Sequence, residues 1–312
     1  MKSLPFLLAC TIAAATLDAG PARSQAQAQP SGAAGNGDCR LRIDTSAGSW
    51  VVRGYDPFGN SEASGTFELT FSNEGEGGCT FFPIFMADQE PFGLQALNGR
   101  RVPYALFDLF GSYEATPRTG RTVQPATRRP VVVAPRSQQV VQYRFLVAED
   151  ALQGDGVFDQ RVQVEAEDGK GRLLASRQIV LGIEVLPSAT LGLSGAYAIN
   201  NGQALVDLGQ LEEGLAQVPL QLRVQSTRRY SLNVQSRNNG RLRLGSTEWY
   251  VPYQLSLGGQ SAALGTGQAD ISSPPTNGLT RSSLPVQFRI SDPSGQRAGV
   301  YSDVITISVA PQ

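Results

Sequence analysis

The sequence is a succession of short segments in which apolar and polar residues alternate, and a turn signal follows each segment. Residues 65–73 (GTFELTFSN) are typical, because Phe67, Leu69 and Phe71 alternate with polar neighbours. Turns such as DPFGN, NEGEGG, QGDG and EDGKG separate the segments. Alternation with a period of two indicates half-buried β-strands, and no stretch sustains a helical period. The pattern predicts an all-β protein with antiparallel sheets.

The series of strands is interrupted near residues 186–188 (LPS) and then starts again. The chain has 312 residues, which is enough for two domains of ordinary size. We therefore expect two immunoglobulin-like antiparallel β-sandwich domains. The N-terminal domain is predicted over residues 39–187 and the C-terminal domain over residues 188–312.

The first 38 residues have a different composition. MKSLPFLLACTIAAAT places Lys2 before an apolar run of about a dozen residues, and small and polar residues follow it. This pattern predicts a secretory signal peptide over residues 1–28 and a flexible leader over residues 29–38. The alternative is a lipobox-like LLAC sequence, which would place a lipid on Cys10. Either interpretation predicts an exported protein.

The chain contains no histidine, and its formal net charge is −1. Histidine is the commonest general base and metal ligand, so its absence weighs against an enzyme and against a metal site. The balanced charge gives no reason to expect nucleic acid as a partner. We therefore expect a non-enzymatic protein without cofactors. The alternative is a surface glycosidase, which would need a close pair of carboxylates in a cleft.

Cys39 and Cys79 remain after removal of the signal peptide. Two cysteines in an exported chain most economically form one disulfide, which we predict here. The alternative of two free thiols is disfavoured by an oxidising compartment.

Several motifs occur in an order that resembles the spore coat protein U domain family. In the first half, Cys39 precedes a Tyr-Asp-Pro turn at residues 55–57 and the strand at residues 65–70. The motifs of the second half are VDLGQL (206–211), LQLRV (220–224), YSLNV (230–234), SRNNGRL (236–242) and AGVYSDVITI (298–307). The Gly-x-Tyr-x-Asp start of the last motif is the most specific element. The resemblance is weak across residues 81–187, and the second half lacks the cysteines of the family.

The resemblance implies that the C-terminal domain lacks one strand. The family includes subunits of archaic chaperone–usher pili, in which an extended segment of a neighbouring subunit fills an open apolar groove. The last strand of this chain is predicted from the alternation of Ile305, Ile307 and Val309. Tyr301 is an even number of residues away from them, so its side chain is predicted to point to the same face of the strand. These four residues are the predicted lining of the groove. The alternative is a complete sandwich, in which they are ordinary core residues.

Aromatic residues are concentrated between residues 80 and 113, many of them beside glycine or proline. Apolar side chains on loops can form an exposed binding patch, so Phe92, Leu94, Phe107 and Phe110 are predicted to contact a surface ligand. The ligand would be an abiotic, carbohydrate or protein surface. The alternative is packing in the core.

Together these observations predict an exported pilus subunit, a tip adhesin that reaches the cell surface through the periplasm. Its expected partners are neighbouring pilus subunits, a periplasmic chaperone and an outer-membrane usher. The alternative is a periplasmic pilus chaperone, which also has two immunoglobulin-like domains.

Overall fold

The computed structural model describes residues 38–44, 48–87, 92–96, 99–274 and 278–312. The predicted signal peptide, the lipidation site at Cys10 and nearly all of the predicted leader lie outside the described residues. Among the described residues, no helix has the length and apolar character needed to cross a bilayer.

Short β-strands make up almost all regular structure, as the alternation predicts. The strands up to residue 185 are β1 (Leu41–Asp44), β2 (Ser49–Tyr55), β3 (Ser64–Asn73), β4 (Cys79–Ala87), β5 (Leu94–Gln95), β6 (Arg101–Val102), β7 (Tyr104–Asp108), β8 (Tyr113–Glu114), β9 (Val131–Val133), β10 (Gln138–Val147), β11 (Gly156–Glu167) and β12 (Leu173–Val185). The helical segments described are two single 3₁₀ turns, Glu149–Ala151 and Leu264–Thr266.

A second series of strands begins four residues after β12 ends. It comprises β13 (Ala189–Gly195), β14 (Ala198–Asn200), β15 (Gln203–Leu205), β16 (Gly214–Leu215), β17 (Leu220–Ser226), β18 (Tyr230–Ser236), β19 (Arg241–Leu244), β20 (Tyr250–Leu257), β21 (Gln260–Ala262), β22 (Gln268–Ser272), β23 (Thr280–Ile290), β24 (Tyr301–Ser302) and β25 (Ile305–Pro311).

Two sheets enclose the core of the first series. One has the strand order β1-β3-β10-β7-β8, and the other has the order β2-β12-β11-β4-β9, with β5 paired to β11 and β6 paired to β5. Aromatic rings from both sheets meet between them. The Trp50 ring lies parallel to that of Phe67 at 5.2 Å and packs near Tyr143 at 6.0 Å. Trp50 is therefore a packing residue of the core.

One strand pair departs from the antiparallel pattern. β2 runs parallel to β12, with Trp50 opposite Leu181 and Val52 opposite Ile183. Parallel strands need a long connection, and here the strands β3 to β11 lie between them. The early strand β2 thereby covers the edge of the last strand of its own half.

The second series forms its own core between two further sheets. One sheet has the order β13-β17-β23-β20-β19-β24 with β16 and β21 at its margins, and the other has the order β22-β18-β25. Leu232 and Val234 of β18 are completely buried between them. The predicted all-β, immunoglobulin-like sandwich class is therefore confirmed. Gly35–Gln312 forms a single compact unit, so the division into domains at residues 187 and 188 stays a prediction.

The two halves contact one another where β12 leads into β13. Arg228 Nε donates to Asp155 Oδ1 at 2.9 Å, and its Nη2 donates to the second carboxylate oxygen. The backbone amide of Ser188 donates to Thr227 Oγ1 at 2.9 Å. The glycine-rich segment at residues 153–156 therefore contacts the second half through Asp155.

The disulfide between Cys39 and Cys79 is present, as predicted, with the two Cα atoms 5.2 Å apart. Cys39 precedes β1 in one sheet, whereas Cys79 begins β4 in the other and is completely buried. The bond therefore joins the two sheets of the first half.

Replacement of both cysteines by alanine should lower the free energy of unfolding by about 4 kcal/mol, because the bond closes a loop of 40 residues in the unfolded chain. Chemical denaturation of the variant and of the wild-type protein would measure this difference. Thiol titration of the unfolded, unreduced protein is the control. Two reactive thiols per mature chain would show that the bond does not form.

Candidate functional site

The last strand, β25, pairs along one edge only. It runs antiparallel to β18, with Ile307 opposite Val234 and Val309 opposite Leu232. Its residues alternate between half-buried and exposed, and Ile305, Ile307 and Val309 are the half-buried set facing the core. Val234 and Leu232, the β18 partners of Ile307 and Val309, are completely buried. The core is therefore well covered over β18 and only partly covered over β25.

No other described strand pairs with the far edge of β25. The equivalent last strand of the first half, β12, lies between β11 and β2 and has both edges paired. An unpaired strand edge exposes a row of backbone donors and acceptors to any chain that can pair with it. Among the described strands, the second half thus shows no counterpart of β2 along the outer edge of its last strand.

The strand β13 forms a second edge beside β25. It pairs with β17 in the opposite sheet, and it contacts β25 across the sandwich. Leu191 and Leu193 of β13 pack against the same core as Ile307 but remain half-buried. Two edge strands with partly exposed apolar side chains therefore lie next to each other on this side of the sandwich.

Asp303 fixes the start of β25. Its carboxylate accepts hydrogen bonds from the backbone amides of Val304 and Asn238 at 2.7 and 3.0 Å, and from the hydroxyl groups of Ser236 and Tyr253 at 2.5 and 2.7 Å. Burial raises the pKa of Tyr253, which favours its protonated, donating form. The Asp303 side chain therefore joins the residues just before β25 to the end of β18 and to β20.

The position of Tyr301 differs from the prediction. It lies in β24, where it pairs with Leu244 of β19, and its hydroxyl donates to the carbonyl of Arg297 at 2.8 Å. The chain passes from one sheet to the other between residues 302 and 305. The alternation of side chains along a single strand therefore does not extend from Tyr301 to Ile305, and the two side chains do not share a face of one strand. Tyr301 is therefore not on the strand that carries the other three predicted groove residues.

The four predicted surface residues separate into two groups. Leu94 is completely buried, because β5 pairs with β11 and points this side chain into the core. Phe92 is half-buried, and its ring lies 4.7 Å from that of Tyr104. The prediction that Leu94 contacts a surface ligand is therefore wrong, and Phe92 is mainly a packing residue.

Phe107 and Phe110 are 38% and 45% exposed, and Leu109 beside them is 44% exposed. They lie around the turn between β7 and β8, which we call the 109–112 turn. Sequence reasoning did not select Leu109 or the buried Asp108 before it. The available signal was the order Asp-Leu-Phe-Gly, since aspartate followed by glycine favours a turn held by the aspartate side chain.

In the described part of the chain, no three histidine, cysteine, aspartate or glutamate side chains are grouped so as to hold a metal ion.

Two serine substitutions distinguish a core residue from a surface residue in this region by their effect on stability. Leu94→Ser should lower the free energy of unfolding by about 3 kcal/mol or more, because it removes a buried apolar side chain and buries a hydroxyl. Phe110→Ser should change it by no more than about 0.5 kcal/mol, because nearly half of the residue is exposed and it lies on a turn outside the core. Thermal and chemical denaturation of the two variants would test this. Equal destabilisation by both would show that Phe110 is also a core residue.

Comparison with known proteins gives a match between a family model and part of the second half. Residues 216–308 match the family model described as Spore Coat Protein U domain. No curated protein matches the chain at a significant level.

Solved structures similar to the chain include three fimbrial proteins. The chaperone–tip adhesion subunit pre-assembly complex CsuC–CsuE of archaic chaperone–usher Csu pili from Acinetobacter baumannii has a TM-score of 0.41 and 15% identity, over 86% of this chain and 100% of that chain. The CupB6 tip adhesin from Pseudomonas aeruginosa has a TM-score of 0.34 and 8% identity, over 87% and 95%. CfaE, the adhesive subunit of CFA/I fimbria of enterotoxigenic Escherichia coli, has a TM-score of 0.30 and 13% identity, over 87% and 81%.

TM-scores in this range do not establish a shared fold, so the family match is the informative result. It includes the strands from β17 to most of β25, which also carry most of the sequence motifs of the second half. The resemblance to the Spore Coat Protein U domain family is therefore confirmed over residues 216–308.

Proposed function

We propose that the protein is an exported, non-enzymatic pilus subunit, a tip adhesin whose second half accepts a strand from a neighbouring subunit. The observation that carries this proposal is the contrast between the two last strands. β12 has both edges paired, whereas the far edge of β25 has no described partner. The family match lies in the half with the open edge.

The geometry suits strand addition. β25 offers seven residues of backbone along its free edge, and Leu191 and Leu193 of β13 flank the space beside it. An extended segment placed there would pair with the β25 backbone, while its alternate apolar side chains would cover Ile305, Ile307 and Val309. Backbone pairing would provide affinity, and the apolar contacts would fix the register.

The first half supplies the attachment surface in this proposal. Its sandwich is closed by the β2–β12 pair, and it exposes Phe107, Leu109 and Phe110 around one turn. Neighbouring exposed apolar side chains of this kind favour an apolar or amphipathic partner surface. A periplasmic chaperone would protect the open edge of β25 before assembly, and an outer-membrane usher would place the subunit in the fibre.

The alternative, a periplasmic pilus chaperone, has less support. A chaperone is expected to have a complete second domain, and the free edge of β25 together with the half-buried residues of β13 does not fit this expectation.

A synthetic peptide of alternating valine and threonine should raise the melting temperature of the purified protein, because it would bind only the folded form. Ile307→Asp should abolish this rise by placing an unpaired charge in the groove. Thr306→Asp is the matched control, since Thr306 lies next to Ile307 on the exposed face of β25. Differential scanning calorimetry with and without the peptide would measure the effect.

Two results would contradict the proposal. The first is a high melting temperature of the isolated protein that no such peptide changes. The second is an equal loss of the peptide effect in the Ile307→Asp and Thr306→Asp variants, because the peptide would then not lie along the apolar face.

A further inference from the structure

Asp108 is the only charged side chain found buried among the described residues, with 2% exposure. It is the last residue of β7 and lies directly opposite Tyr143 of β10. The 109–112 turn follows it and returns the chain to β8. A carboxylate is costly to bury, so its partners in this position require an explanation.

The partners of Asp108 are groups of the turn itself. Its Oδ1 accepts the Gly111 amide at 2.7 Å, and the carboxylate also accepts the Phe110 amide and the Tyr113 hydroxyl. The Leu109 amide donates to the Gln142 carbonyl at 3.0 Å. Three consecutive amides of the turn are thus held in place, and Asp108 binds two of them.

Two further unfavourable features occur beside Asp108. Ser112 has a φ of +54°, in the left-handed region that residues other than glycine rarely adopt. The Tyr143 hydroxyl is buried without a hydrogen-bond partner in the described part of the chain. Such features persist only where the surrounding structure enforces them, and they are concentrated at functional sites.

The turn carries two of the most exposed apolar residues of the region. Leu109 and Phe110 are 44% and 45% exposed although the backbone that bears them is fixed. An apolar group held in place before binding loses less conformational freedom on contact with a partner. A rigid turn therefore increases the affinity that two side chains can provide.

We propose that Asp108 is a positioning residue that holds the 109–112 turn in the conformation presenting Leu109 and Phe110 to an apolar partner surface. This role rests on the proposed attachment by the first half of the chain. Asp108 does not touch the partner, and its effect is transmitted through the amides of Phe110 and Gly111.

Burial raises the pKa of Asp108, against the opposing effect of its hydrogen bonds. The folded protein therefore binds this proton more tightly than the unfolded chain does. The contribution of Asp108 to stability is greatest below the ordinary aspartate pKa and decreases as the pH rises through the raised pKa. The ionisable groups that interact with Asp108 are Tyr113 on β8 and Tyr143 on β10, and Arg128, which lies over the Phe82 ring, interacts in turn with Tyr113.

Asp168 provides a matched comparison. It also holds a turn, since its Oδ1 accepts the amides of Lys170 and Arg172 at 2.9 Å, but the residue is half-buried and its carboxylate also pairs with the Arg172 side chain. The Arg172 amide is the main cause of the lowered pKa of Asp168. Its contribution to stability is present above the ordinary aspartate pKa and is lost as the pH falls through the lowered value.

The test compares Asp108→Asn with Asp168→Asn in the full mature chain. Asp108→Asn should reduce adsorption to polystyrene beads several-fold and speed hydrogen exchange at the Phe110 and Gly111 amides about tenfold, while the melting temperature at pH 7 does not fall. Asp168→Asn should leave adsorption unchanged and lower the melting temperature slightly. In wild-type protein, the chemical shift of the Gly111 amide should titrate with Asp108, and this titration should be absent from Asp108→Asn.

The outcomes distinguish this inference from the proposed attachment surface. Leu109→Ser/Phe110→Ser should lose adsorption. If it does not, the attachment surface fails, and the role of Asp108 in it fails too. If that variant loses adsorption but Asp108→Asn retains it, the attachment surface stands, and only the proposed positioning role of Asp108 is wrong. A melting temperature that falls together with adsorption in Asp108→Asn would also overturn the inference, because Asp108 would then be purely structural.

Discussion

A strand at the edge of a sheet leaves a row of backbone donors and acceptors without a protein partner, and the two halves differ in how they treat the outer edge of their last strand. In the first half, β2 returns parallel to β12 and satisfies its outer edge within the same chain. In the second half, β25 pairs with β18 alone among the described strands. The apolar residues of β25 and β13 remain half-buried for the same reason, because no further strand of the described part of the chain lies over them.

Asp303 connects this edge to the rest of the sandwich. The carboxylate binds Ser236 and Asn238 at the end of β18, Tyr253 on β20 and the amide of Val304 just before β25. A single side chain thereby anchors the terminal strand to both sheets of its half. These hydrogen bonds hold the start of β25 in place, which would reduce the entropic cost of the proposed pairing with a partner strand.

Local patterns were sufficient for some of these features. The alternation of Ile305, Ile307 and Val309 predicts their common face, because side chains of a strand alternate between its two sides. The turn signals predict the breaks between strands, and two cysteines in an exported chain predict the disulfide. Each of these depends on residues that are close in sequence or on a residue count.

Long-range pairing could not be predicted in this way. No local signal shows that β2 runs parallel to β12, or that the chain changes sheets between Tyr301 and Ile305. Leu94 and Phe110 both lie beside a glycine, yet β5 pairs with β11 and buries Leu94, whereas the turn held by Asp108 exposes Phe110. The difference comes from neighbours that are distant in sequence.

Hydrogen exchange along β25 tests the central claim of an open edge most directly. The account predicts that, in the isolated protein, alternate amides between residues 305 and 309 exchange rapidly while those of β18 are protected, and that a bound donor peptide protects the rapid set. Protection of every β25 amide in the isolated protein, equal to that of β18, would contradict the account, because the far edge of the strand would then already be paired.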